Sequence, residues 1–194
     1  MKKKILKVSS MLLLVVSVAF MFTSCKSKQN VIAQKDDGEV EIKMYCSGDE
    51  YNSSPKALRY SAVGESMDQM TSKKKAMSDA RAGLAASINT QVKAVVDNYV
   101  NSGNFNNKEE LMKKYEGLNR EVINQSLSGV IVKCERMTRT KAGNYKSYVC
   151  VELGSDDILK TINNRATNDE MLKVDYNYEK FKKTFETEMN KLGK

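Results

Sequence analysis

The chain has 194 residues, with 32 Lys and Arg against 24 Asp and Glu, four cysteines, one proline, and neither histidine nor tryptophan. Without histidine, the usual general base near neutral pH and the main nitrogen ligand of common zinc sites are missing, so no catalytic residue, metal site or cofactor is expected. The formal charge of +8 falls to +4 once the four lysines of residues 1–24 are set aside, a mixed surface and not the one-sided basic face that nucleic acid needs.

Residues 1–24 have the three parts of a secretory signal peptide: basic Lys2, Lys3, Lys4 and Lys7, an apolar run from Met11 to Phe22, and the small Thr23 and Ser24. A run of about twelve residues is well short of the roughly twenty that a helix needs to span a bilayer. Cys25 follows at the cleavage point. Phe22-Thr23-Ser24-Cys25 resembles the lipobox of bacterial lipoproteins, with Phe22 where leucine is commoner. The resemblance implies a diacylglyceryl group on Cys25, cleavage before it, and acylation of the new amine. Each buried methylene contributes about 0.8 kcal/mol, so several chains on one residue hold a protein firmly to a membrane.

Residues 25–38 are polar and contain no aromatic side chain, which reads as a tether. Val40 to Cys46 alternates, with Val40, Ile42, Met44 and Cys46 on one face, and predicts a half-buried strand. A loop with Pro55 leads to a second extended segment, Leu58 to Val63. Ser66-x-x-Gln69 has capping-box spacing. A long helix is expected from there to Asn101, with Met67, Met70, Met77, Ala80, Leu84, Ile88, Val92, Val95 and Tyr99 as its stripe. Ala76, Ala80 and Ala85 keep this helix thin enough to approach a sheet closely. Asn107 opens another helix, with Glu109 and Glu110 in its first turn and Leu111, Tyr115, Leu118 and Val122 along its buried side.

Val130 to Cys134 and Tyr148 to Leu153 flank a glycine-containing loop and read as a β-hairpin. A short helical segment is expected over Asp157 to Asn164. A final helix should run from about Asp169 to Leu192, on a stripe of Met171, Val174, Tyr178, Phe181, Phe185, Met189 and Leu192, with Gly193 as its stop. With both apolar faces of the hairpin inward, Cys134 pairs with Val149, Val132 with Val151 and Val130 with Leu153. Cys150 then points to the opposite face. Cys46 lies on the apolar face of its own strand and can meet Cys134 if those strands are neighbours, so any disulfide is expected to be Cys46–Cys134, with Cys150 free.

These elements make an α+β protein: a small antiparallel β-sheet packed against long helices, with a C-terminal amphipathic helix. The expected divisions are a leader over residues 1–24, a tether over 25–38, an α+β domain over 39–165 and a C-terminal helix over 166–194. Several stretches carry a family resemblance: the lipobox, Tyr45-Cys46-Ser47-Gly48, Tyr60 to Ser66, Ala76 to Ile88 with its Ala-x-x-x-Ala-Arg-x-x-Leu-Ala-x-x-Ile pattern, and Tyr148 to Leu153. Together they resemble the Lpp-twenty family of small bacterial lipoproteins, over roughly Val40 to Leu153. That resemblance implies an outer-membrane lipoprotein with a small sheet on helices and no defined molecular activity.

Other candidate chemistry gives way to plainer readings. Asp79 and Arg81 on the alanine-rich helix read as solvated charges. No Gly-x-Ser-x-Gly elbow occurs. Met67, Met70 and Met77 lack the density of a copper carrier and read as core filler. Lys35-Asp36-Asp37 resembles a surface-export tag but lies ten residues beyond Cys25, so the periplasmic face is favoured. The expectation is a non-enzymatic, lipid-anchored outer-membrane lipoprotein working through contacts with an unidentified envelope protein. The alternatives are a surface-exposed adhesin or host-contact lipoprotein, and an envelope small-ligand-binding module with its ligand held between sheet and helix.

Overall fold

A computed structural model describes residues 42–192. The leader, Cys25, the tether, Val40 and Gly193 lie outside the described residues. Within them, a short 3-10 turn at Asp49–Tyr51 precedes β1 (Ala57–Ser66), α1 (Gln69–Ser102), α2 (Lys108–Ser126), β2 (Ile131–Arg139), β3 (Tyr145–Gly154), α3 (Ser155–Asn168) and α4 (Tyr178–Met189). The strands form one antiparallel sheet in the order β1-β3-β2. The chain is therefore α+β, a small antiparallel sheet with helices on one face.

β3 is central and reads as a continuous apolar run because both of its faces are covered: Val149, Cys150 and Val151 are all 0 % exposed. Alternation along the strands sends Leu58, Ala62 and Gly64 of β1 and Ser147, Val149, Val151 and Leu153 of β3 to the same face. That face meets Ala76, Ala80, Leu84 and Ile88 of α1, all fully buried. Small residues set the separation. A Cβ placed on Gly64 would lie 2.2 Å from the Ser72 carbonyl oxygen and 2.5 Å from the Ala76 nitrogen. Gly83 likewise leaves room for the ring of Tyr60, 2.2 Å from where its own Cβ would be.

The start of α1 differs from the capping-box expectation. Ser66 ends β1, and Asp68 is the N-cap, its carboxylate accepting from the Thr71 amide at 2.7 Å. Met67 and Met70 consequently fall outside the stripe and are 84 % and 58 % exposed. Ser72 takes the core position instead, with its hydroxyl 2.6 Å from that of Ser147. A buried polar pair of this kind satisfies itself where neither hydroxyl reaches water. Lys73 lies in the second turn and reaches Glu135 of β2 at 2.7 Å. Ala85 does not face the sheet; it lines a cleft between α1 and α2.

α2 follows its sequence pattern: Asn107 caps it, and Leu111, Tyr115, Leu118 and Val122 are buried. The C-terminal region does not. α3 runs through residue 165 to Asn168, and Asp169 then opens a turn by accepting from the amides of Met171 and Leu172, both at 2.9 Å. The last helix begins only at Tyr178, after the Asn177 cap. Met171 and Val174 are therefore 57 % and 78 % exposed, and Leu172 is buried in their place.

α4 docks on α1 through an aromatic cluster. The ring of Phe181 lies 5.2 Å from Tyr99, 6.2 Å from Tyr115 and 5.5 Å from Tyr176. The Tyr99 hydroxyl donates to the Asp175 carbonyl at 3.0 Å and accepts from the Asn177 amide at 2.8 Å, clamping the chain entering α4 to α1. Burial pushes the Tyr99, Tyr115 and Tyr176 phenols up, so they stay neutral; Tyr99 and Tyr176 donate hydrogen bonds, while the buried Tyr115 hydroxyl has no partner among the described residues. Phe181 is 0 % exposed. Phe181→Ala should lower stability by about 3–5 kcal/mol in thermal or denaturant unfolding. An unchanged melting temperature would mean that α4 does not belong to this core.

Candidate functional site

The sheet face turned away from α1 gathers the three cysteines of the described residues. On β1 it presents Arg59, Ser61 and Val63, and on β3 Glu152, Cys150 and Tyr148, each directly opposite its partner in that order. Cys134 of β2 also lies opposite Cys150.

That last pairing departs from the expected register. Val132 does pair with Val151, but a bulge between Val132 and Cys134 inserts Lys133. An extra residue on one strand reverses the facing of everything beyond it. Cys134 therefore leaves the face it would share with Val132 and joins Cys150 on the opposite one. Glu135, not Cys134, faces Val149. β2 is also an edge strand, and Ile131 and Val132 stay 57 % and 45 % exposed.

Cys46 reaches this face by a different route from the expected strand. Among the described residues Ile42 to Cys46 form no strand, and Ile42 and Met44 are 82 % and 52 % exposed. Cys46 sits in a turn at φ 54°, a left-handed conformation that non-glycine residues seldom adopt. Its sulfur is joined to that of Cys134, with the Cα atoms 5.5 Å apart. Its carbonyl accepts from the Ser61 hydroxyl at 2.6 Å. The Tyr45 ring lies 5.4 Å from that of Tyr148. Arg59 pairs with Glu152 and donates to the Asn52 carbonyl at 2.8 Å, while the Ser53 hydroxyl accepts from the Arg59 amide at 2.9 Å. Residues 45–53 are thereby held across the sheet as a second, thin layer.

Among the described residues Cys150 is the free cysteine, and it is 0 % exposed beneath that layer. Burial raises its thiol pKa, opposed by a hydrogen bond with Ser61 and by the Arg59 charge. Sequence reasoning missed Ser61, which carried no signal beyond its place in an extended segment.

Elsewhere, Asp79 and Arg81 are both exposed on α1. Among the described residues no group of three or more His, Cys, Asp or Glu side chains could hold a metal ion. No helix among them is long and apolar enough to cross a membrane. A cleft of about 510 Å³ opens between α1 and α2, and a second of about 320 Å³ lies between β1 and α1, where Leu58 and Tyr60 face Gly83, Ser87 and Thr90. Val96, Met112 and Ile123 line the first together with Lys93, Asp97 and Arg120. Asn119 donates across it to Asn89 at 2.6 Å. Comparison with protein-family models, with curated proteins and with solved structures finds no match.

The geometry makes a chemical prediction. Non-reducing peptide mapping of the folded protein should join Cys46 to Cys134, and Cys150 should resist alkylation until the protein unfolds. Ready alkylation of Cys150 in the folded state would show that residues 45–53 do not cover it.

Proposed function

We propose that this chain is a non-enzymatic, lipid-anchored lipoprotein of the bacterial outer membrane, of the Lpp-twenty kind, acting through contacts with another envelope protein. One observation carries the reading: Cys25 closes an apolar run, Met11 to Phe22, that is preceded by four lysines and followed by two small residues. The periplasmic face is the favoured location, because Lys35-Asp36-Asp37 lies too far beyond Cys25 for a surface-export tag. A disulfide suits a compartment outside the cytoplasm, where such bonds form and persist.

The small-ligand alternative is supported less by the smaller cleft between β1 and α1 than by the larger one between α1 and α2, in which apolar side chains adjoin both cationic and anionic ones. Pockets of this size and mixture are where small molecules bind. A ligand there would lie between two helices and not between helix and sheet.

Metabolic labelling with a palmitate analogue tests the anchor. The native chain should take up label and fractionate with outer membrane, and Cys25→Ala should lose the label and accumulate unprocessed. Label retained in Cys25→Ala would contradict the reading, and protease shaving of intact cells would separate the periplasmic from the surface-exposed form.

A further inference from the structure

Ser61, Cys150 and Cys134 form a row across the three strands, each directly opposite the next. Cys46 spans the row: its carbonyl accepts from Ser61 at 2.6 Å, and its sulfur is bonded to Cys134. Cys150, the middle member, is therefore enclosed below Cys46, which accounts for its complete burial. Directly opposed residues in antiparallel strands have Cα atoms about 4.5–5.5 Å apart. A disulfide needs about 4.4–6.8 Å. Cys134 thus has two cysteines within bonding reach, Cys46 at 5.5 Å and Cys150 across the ladder.

We propose that Cys134 is a shared disulfide partner, and that the protein exchanges a Cys46–Cys134 bond for a Cys134–Cys150 bond. The Cys150 thiolate attacks the Cys134 sulfur. The new bond forms as the Cys46–Cys134 bond breaks, and Cys46 leaves as a thiolate that takes up the proton Cys150 lost. Among Cys46, Cys134 and Cys150 one disulfide and one thiol are present before and after, so no oxidant or reductant is consumed. The bulge at Lys133 is what makes the exchange reachable, since without it Cys134 would face Val149 and Cys150 would point away.

The two states differ in what lies over the sheet. With Cys46 bonded, residues 45–53 are stapled across β1 and β3. After exchange that layer loses its covalent link and keeps the Ser61–Cys46, Arg59–Asn52 and Ser53–Arg59 hydrogen bonds, the Tyr45–Tyr148 contact and the approach of the Cys46 sulfur to the Tyr148 carbonyl at 3.6 Å. The layer can then lift and uncover Tyr148, making the sheet face a thiol-controlled surface. Enclosure of Cys150 keeps the exchange slow until the layer opens, so a small thiol that transiently opens Cys46–Cys134 should catalyse it.

Differential alkylation of the mature chain in a glutathione buffer tests this. The expected result is a population in which Cys46 is alkylated while Cys134 and Cys150 are recovered as one cross-linked peptide. Cys46→Ser, if it folds, should oxidise to Cys134–Cys150. If Cys46→Ser does not fold, the native-chain measurement decides alone. The proposal is overturned if Cys46 and Cys134 always become alkylatable together with Cys150 unlinked, if folded Cys46→Ser keeps two free thiols under oxidation, or if exchange links Cys46 to Cys150 and frees Cys134.

Discussion

The close approach of α1 to the sheet is the contact on which the other packing depends. It requires no side chain at position 64 and only methyl groups at 76 and 80, because strand and helix backbones meet there almost directly. Ser72 and Ser147 complete the contact with a buried hydroxyl pair at 2.6 Å. Further along α1, Leu84 and Ile88 still meet the sheet, and Val92, Val95 and Tyr99 widen the interface as α2 and α4 come in. The helix is a wedge in side-chain size, thin against β1 and thick against the other helices. Protein interiors are close-packed, so a gap or an added methylene at the thin end is felt directly.

The two faces of the sheet are stabilised in different ways. The α1 face buries a continuous apolar core. The other carries polar and sulfur chemistry under a thin layer: one disulfide, the Arg59–Glu152 pair and a few hydrogen bonds. The Cys46–Cys134 bond closes a loop with a sequence separation of 88 and limits the unfolded chain accordingly, an effect of a few kcal/mol in the loop-entropy account. The same thin layer is what a change in disulfide pairing can move without touching the core.

Where apolar residues repeated every three or four positions inside one uninterrupted helix, the sequence was a sound guide, as for Leu84 to Tyr99 and for Leu111, Tyr115, Leu118 and Val122. The antiparallel hairpin and its loop were legible too. Periodicity failed where a cap interrupted it: Met171 and Val174 continue the stripe of α4 on paper, but the Asp169 turn and Asn177 cap separate them from it. It failed at Ser72, because a buried serine answers to its partner on β3 and not to hydropathy. Alternation misled at Ile42 and Met44, which have no neighbouring strand to pair with. For the candidate site, the residue types were visible but the geometry was not, because a one-residue bulge leaves no mark in composition and yet decides which way Cys134 faces.

A paired glycine substitution tests the central claim most directly. Gly64→Ala puts a methyl group where the α1 backbone already lies, whereas at Gly117, on α2, an added Cβ meets nothing within 4 Å. In thermal unfolding, Gly64→Ala should destabilise by about 1–3 kcal/mol through overpacking. Gly117→Ala should be neutral or stabilising by up to about 1 kcal/mol through helix propensity. A Gly64→Ala protein as stable as Gly117→Ala would contradict the account, because the sheet and α1 would then not be in the contact on which the packing rests.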